Sequence, residues 1–171
     1  MPERIMIVGC PGSGKSTLAR AICAKTGLPV VHLDKLNWRD NWTSIPREEF
    51  DMLLQAEIDK PRWIIDGNYT RTIAMRLQRA DTVLWLDYPT PICLWGVLKR
   101  IATTRGAVRP DMGPNCPERF DLNFIKYVLT YRRTVRPKLE KLIAPPPGCT
   151  LHRLRSRREA LNFLASLQHT H

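Results

Sequence analysis

No apolar run in these 171 residues approaches the roughly 20 needed to cross a bilayer, so a helical membrane span is excluded. The first residues carry no charged-then-apolar leader, because a strand pattern begins at once, and no secretory signal is expected. Cys10, Cys23, Cys93, Cys116 and Cys149 are odd in number and include no C-x-x-C pair. That spacing argues against a disulfide framework or a zinc site and for a reducing cytoplasm. His32, His152, His169 and His171 form no triad or metal set. Internal repeats, low-complexity stretches and a helix-turn-helix pattern are all missing, so solenoids and the commonest DNA readers drop out. Acid is also in short supply: 27 Lys/Arg face 16 Asp/Glu, a net charge of +11.

The composition is 43% hydrophobic and 25% charged, which suits one globular domain spanning 1–171 with a full core. The positive excess is uneven. Residues 91–145 hold 11 Lys/Arg against 4 Asp/Glu, whereas residues 1–90 hold 12 against 11. A basic block of this kind serves a triphosphate, a nucleic-acid backbone or only a solvated face.

Gly9-Cys10-Pro11-Gly12-Ser13-Gly14-Lys15-Ser16, with Thr17 next, is a complete phosphate-binding loop of the form G-x-x-x-x-G-K-[ST]. Arg4 to Val8 before it reads as a short buried strand. Ser16 to Lys25 after it reads as a helix, with Leu18, Ala19, Ile22 and Cys23 at helical spacing. Strand, glycine loop and helix together let backbone N–H groups and the helix N-terminus surround a polyphosphate. Lys15 then reaches the outer phosphates and the Ser16 hydroxyl ligands Mg²⁺.

Further along, strands are expected at Val30–Leu33, Trp63–Asp66, Thr82–Asp87 and Cys149–Leu154. Helices are expected at Pro46–Ile58, Thr70–Arg79, Pro91–Thr104 and Phe120–Ile143, the last bent before Pro137. A closing helix follows from Ser156, with Glu159 at its capping-box position. Residues 105–119, rich in Gly and Pro, read as a loop. This alternation predicts an α/β fold: a five-stranded parallel sheet with helices on both faces and a helical lid at about 100–136. Ligands then belong beyond the carboxyl ends of the strands.

Several residues fall at those ends. Asp66 is the preferred metal-side acid, with Asp87 as a structural rival. Asp34 accepts a substrate hydroxyl proton, ligands Mg²⁺ through water, or caps a turn. Trp38 and Trp42 either wall a substrate pocket or pin a loop. Asn68 and Arg71 lie on the substrate side, Arg71 as a clamp for an acceptor phosphate or carboxylate. Arg100, Arg105 and Arg109 flank the Gly/Pro loop on one side, and Arg132, Arg133 and Arg136 on the other. Lys15, Asp34, Asp66, Arg100, Arg105, Arg132 and Arg133 are the candidate catalytic set. The cations would neutralise charge on a transferring phosphoryl group. Arg153 and Arg155 are weak candidates for the base end of a nucleotide.

Ile64-Ile65-Asp66-Gly67-Asn68-Tyr69-Thr70-Arg71 resembles the strand-Asp-Gly-x-x-Arg element of adenylate kinases, with one more residue between Asp and Arg. The whole chain resembles the DNA topology modulation proteins (FlaR-related). That resemblance is carried by Gly9–Thr17, His32-Leu33-Asp34-x-Leu36-x-Trp38, Trp63–Arg71, and Arg105 to Pro117 with its Arg109-Pro110-Asp111-Met112. It implies an adenylate-kinase-like fold, ATP with Mg²⁺ as cofactors, and phosphotransferase activity. The roughly 30 residues between strands two and three are short for a nucleoside-monophosphate insert. The lid has no zinc-ligand cysteine set. A different small acceptor is therefore expected: a nucleoside, a nucleotide or a hydroxylated metabolite. The alternative is an ATP-dependent DNA-binding, topology-modulating regulator. Expected partners are ATP and that acceptor, at most weak non-specific nucleic acid, and no membrane, with the protein a monomer or dimer.

Overall fold

A computed structural model describes residues 1–104, 111–117 and 120–167. The elements run in the order β1 (Arg4–Gly9), α1 (Lys15–Thr26), β2 (Val30–His32), α2 (Leu33–Asn37), β3 (Trp38–Arg39), β4 (Thr43–Ser44), α3 (Arg47–Ile58) and β5 (Trp63–Asp66). They continue with α4 (Ile73–Leu77), β6 (Thr82–Leu86), α5 (Thr90–Thr104), α6 (Leu122–Thr134), α7 (Arg136–Leu142), β7 (Thr150–Leu154) and α8 (Arg157–Ser166). Five strands pair in the order β2-β5-β1-β6-β7, and every pairing is parallel.

Alternation along β1 decides how the sheet is covered. Ile5 and Ile7 point into one apolar cluster with Ile22, Val97 and Val128 from α1, α5 and α6. Met6 and Val8 point into a second, with Phe50, Leu54, Ile73 and Leu139 from α3, α4 and α7. Both faces are therefore buried, which is why the strands are continuously apolar rather than half polar. Among the described residues no helix is long and apolar enough to cross a membrane.

Four local expectations change. The second strand stops at His32, and Asp34 sits in the first turn of α2 rather than at a strand end. The segment 38–44, for which no element is expected, is a short antiparallel hairpin of β3 (Trp38–Arg39) and β4 (Thr43–Ser44). It turns through left-handed Asn41 and Trp42, at φ 54° and 61°. The helix expected over 70–79 is a single tight turn, Thr70–Thr72, followed by the short α4. The long helix expected over 120–143 is two helices parted at Val135. Pro137 lies in the first turn of the second, where its missing N–H costs nothing. Ser156 does cap α8, accepting from the Glu159 N–H at 3.2 Å.

Candidate active site

β1 delivers the phosphate loop at the centre of the sheet, between β5 and β6. Gly12 turns at φ 79° and lies so close to α5 that a Cβ there would sit 2.1 Å from the Cys93 carbonyl oxygen. The approach is mutual, since a Cβ on Gly96 of α5 would lie 2.1 Å from the Gly12 oxygen. Lys15 donates from Nζ to the carbonyls of Gly9 at 3.0 Å and Cys10 at 3.1 Å. An ammonium has three N–H groups, so one remains for a ligand. Burial pulls its pKa below the usual lysine value, and the nearby Asp66, then Cys10 and Asp34, oppose that shift.

Asp66 closes β5 and is only 4% exposed. Its Oδ1 lies 2.8 Å from His32 Nδ1. Its Oδ2 is buried and has no hydrogen-bond partner among the described residues. An ionised carboxylate oxygen left so is costly unless a cation or water meets it. The Ser16 hydroxyl lines the same cleft. Carboxylate and hydroxyl oxygens are hard donors, and they fit Mg²⁺. No cluster of three metal-ligating side chains exists among the described residues.

Asp87 does other work. Arg136 donates to it from Nε at 2.8 Å and Nη2 at 3.0 Å, and Arg153 from Nε at 2.9 Å and Nη2 at 2.6 Å. Both guanidinium groups also lie over the Trp85 ring, at 5.4 and 4.5 Å. Burial alone would raise the carboxyl pKa, but the two arginines outweigh it and hold the group below its ordinary value. Arg153 thus belongs to a structural network, and Arg155 stands exposed.

Opposite the loop, a second wall rises from scattered segments. Tyr69 donates its hydroxyl to Asp34 Oδ1 at 3.0 Å and stacks on Phe50 at 5.0 Å. Burial pushes the tyrosine pKa up, so it stays a donor. Arg76, fully buried, pins the turn below: Nη1 donates to the Gly67 carbonyl at 2.9 Å and Nη2 to that of Asn68 at 2.7 Å. Burial draws its pKa down to about 9 against the pull of Asp66, so it stays charged near neutrality. Asn68 Oδ1 accepts from the Gly9 N–H at 2.9 Å, tying this turn to the phosphate loop. Trp38 and Trp42 meet edge to face at 5.8 Å.

Residues 111–117 dock on the tryptophan hairpin. Asn41 N donates to the Asn115 carbonyl at 3.3 Å, and Cys116 Sγ to that of Arg39 at 3.1 Å. A Cβ on Gly113 would sit 1.9 Å from the Trp38 oxygen. Arg20 Nη1 lies 4.0 Å from Asp111 Oδ1.

A cleft of about 920 Å³ opens between the walls. It gathers Pro11, Gly12, Gly14, Lys15, Ser16, Thr17, Asp34, Trp38, Asp66, Asn68 and Arg100. Gly9, Cys10 and Ser13 frame the loop from behind, the last two buried. Arg71, expected on the acceptor, does not line the cleft; it is exposed and pairs with Asp51 of α3. The tight turn after Tyr69 sends it there. Arg132 and Arg133 stand exposed at the end of α6, outside the lining. Arg105 and Arg109 lie outside the described residues, as do His169 and His171. Sequence reasoning missed Arg20, Tyr69, Arg76, Tyr127 and Arg157. Arg20 had a signal, since it stands four residues after Ser16 on one helix face.

Comparisons with known proteins agree with this geometry. A family described as "ATPase family associated with various cellular activities (AAA)" matches residues 5–87. An adenylate kinase of Clavibacter michiganensis subsp. michiganensis (strain NCPPB 382) is 35% identical over 78 residues, 46% of this chain. The chain spans only 38% of that relative's length. Among solved structures, a shikimate kinase from Acinetobacter baumannii in complex with shikimate superimposes with a TM-score of 0.62 at 15% identity, over 95% of this chain and 89% of its own. A shikimate kinase from Bacteroides thetaiotaomicron gives 0.57 at 13%, over 96% and 95%. A gluconokinase from Sinorhizobium meliloti 1021 gives 0.51 at 16%, over 96% and 92%. Likeness at such identities speaks for architecture, and with the loop, the sheet order and the buried strand-end acid it establishes that the chain has the P-loop NTPase fold.

Proposed function

We propose that the protein is an ATP-dependent small-molecule kinase, passing the γ-phosphoryl group of Mg·ATP to a hydroxyl of a small acceptor. One observation carries this reading: Lys15, Asp66 and Asp34 converge on one cleft from three separate segments, close enough for both carboxylates to act on the lysine charge. A nucleotide-binding switch needs the first two; a carboxylate across from the loop, oriented by Tyr69, is what an acceptor hydroxyl needs. The kinase names borne by the adenylate kinase relative and the shikimate kinase and gluconokinase neighbours support the same class.

The loop Gly9–Thr17 holds the phosphates through its N–H groups, with the third N–H of Lys15 on an outer oxygen. Mg²⁺, held through Ser16 and Asp66, would neutralise charge on the β- and γ-phosphates. Asp34 accepts the acceptor's proton as the new O–P bond forms and the bond to the β-phosphate oxygen breaks, releasing ADP. Arg100, with Arg20 and Arg157, supplies further positive charge along the phosphate path. Residues 111–117, which dock on the tryptophan hairpin, would help to exclude water as part of a lid. The FlaR-related resemblance is compatible with this chemistry, since a topology phenotype need not be direct. The basic residues Arg132 and Arg133 face solvent on α6, and they support only a weak, salt-sensitive attraction to nucleic acid.

The test is calorimetric titration with Mg·ATP, followed by ADP release in the presence of a panel of hydroxylated acceptors and, separately, duplex DNA. Binding of Mg·ATP with acceptor-dependent turnover is expected. No nucleotide binding, or strong sequence-selective stimulation by DNA, defeats the proposal.

A further inference from the structure

We infer that His32 is a positioning residue for the metal side of the cleft, holding Asp66 so that one carboxylate oxygen stays open to Mg²⁺. This rests on the nucleotide-binding half of the kinase reading and adds a residue that serves it.

His32 closes β2, and Asp66 closes β5. The two strands run parallel with these residues in register. Neighbouring strands lie about 4.8 Å apart, so side chains at one register position can meet. Here they do, His32 Nδ1 lying 2.8 Å from Asp66 Oδ1, and both side chains are largely buried. A carboxylate oxygen accepts, so the hydrogen of this contact sits on Nδ1 and the ring tautomer is fixed.

Among the described residues this is the one hydrogen bond made to the Asp66 carboxylate. Lys15 and Arg76 act on Asp66 by charge, but their N–H groups go to main-chain carbonyls. A hydrogen bond is directional, and a charge at a distance is not. His32 is therefore the group that sets the rotation of the carboxylate. Its bond occupies Oδ1 and leaves Oδ2 buried and unpartnered, on a residue that lines the cleft. Metal ligands are oriented in this way by a second residue that binds the first.

The same two segments are tied again in the opposite sense. Asp34, two residues past His32, accepts from Tyr69, three residues past Asp66. Each segment thus presents a carboxylate held by a ring from the other. Between the ties the segments nearly touch, since a Cβ on Gly67 would lie 2.8 Å from Leu33 Cβ. The metal-side acid and the acceptor-side acid are spaced against each other by this pair of bonds.

The test is calorimetric titration of the full chain with ATP, once with Mg²⁺ and once with EDTA. In the wild type Mg²⁺ should tighten ATP binding, and Asp66→Asn should remove most of that gain. His32→Phe keeps a ring and loses the Nδ1 donor. It should weaken Mg·ATP binding about ten-fold and leave the affinity in EDTA unchanged. His32→Asn discards the ring but keeps an N–H donor at the same distance along the side chain, and it should retain most of the gain. A ring that only packed would give the reverse order, with phenylalanine tolerated and asparagine not. Urea midpoints check each fold, and His32→Leu makes the same comparison should His32→Phe not fold. An undiminished Mg²⁺ gain in His32→Phe, or an equal loss in His32→Asn, overturns the positioning role and leaves the kinase reading standing. A wild type whose ATP affinity ignores Mg²⁺ overturns it too. Absence of any ATP binding defeats the kinase reading itself.

Discussion

The phosphate loop of the cleft presents mainly main chain, and the acceptor wall mainly side chains. The first centres on the loop Gly9–Thr17, in which every residue but Pro11 carries an N–H and the glycines set the turn. The second is assembled from α2, a hairpin, a turn and α6, and each contributes one or two side chains held by different partners. A wall of backbone fixes what every nucleoside triphosphate shares. A wall of side chains can change one residue at a time, and so it decides which acceptor is taken.

The comparison breaks hardest at Arg76, which supports the acceptor wall from beneath. Arg76→Ala leaves buried carbonyls of Gly67 and Asn68 without their donors and should cost roughly 3–5 kcal/mol, read as a fall in the urea midpoint. Arg76→Lys should recover little, since one ammonium cannot span both carbonyls. On the other wall, Lys15→Ala should lower phosphoryl transfer by roughly 100- to 1,000-fold while circular dichroism stays native. Ranking next is Asp87, which anchors α7 and β7 and touches neither wall. Asp87→Asn should cost roughly 2–3 kcal/mol, less than a fully buried pair because Arg153 keeps partial solvent contact.

The sign of its pH effect follows from the depressed carboxyl pKa. The stabilisation is present above the unfolded value of about 4 and is lost as pH falls through the lower folded value. Thermal melts at acidic pH should show wild type and Asp87→Asn converging there. Smaller still is Gly113→Ala. Its Cβ would meet the Trp38 carbonyl at 1.9 Å, so the 111–117 segment must lift off the hairpin. Steady-state kinetics should show roughly a ten-fold rise in acceptor KM, with ATP KM unchanged. Arg71→Ala should do least, with no change in either KM, because the exposed pair with Asp51 contributes nothing to the cleft.

How much of this was legible in the sequence follows the same division. The phosphate loop, the parallel sheet and the strand-end Asp66 announce themselves, because they rest on local pattern: contiguous glycines, apolar runs and one acid at a fixed place. Asp34 and Trp38 were legible as candidates, but not the Tyr69 bond that orients Asp34, since 35 residues separate the pair. Arg71 and Arg76 were indistinguishable by type. Only the left-handed Tyr69, at φ 28°, and the tight turn after it determine that the first points to solvent and the second inward. The tryptophan hairpin hid for a like reason. Asn41 and Trp42 both adopt left-handed backbone in a segment without glycine, and residues 111–117 hold it from a distance no periodicity reveals.

Gly12 and Gly96 meet backbone to backbone, with no side chain on either partner. A glycine inside a helix sacrifices about 1 kcal/mol relative to alanine, and α5 accepts that loss to lie against the loop. Lys99 and Arg100 ride on the next turn of that helix. The distance from the loop to these charges is therefore set by atoms that mutation cannot trim and can only enlarge. Substitution can recast the acceptor wall residue by residue, but at this junction any added side chain must push loop and helix apart, and the cations of the next turn would move with the helix.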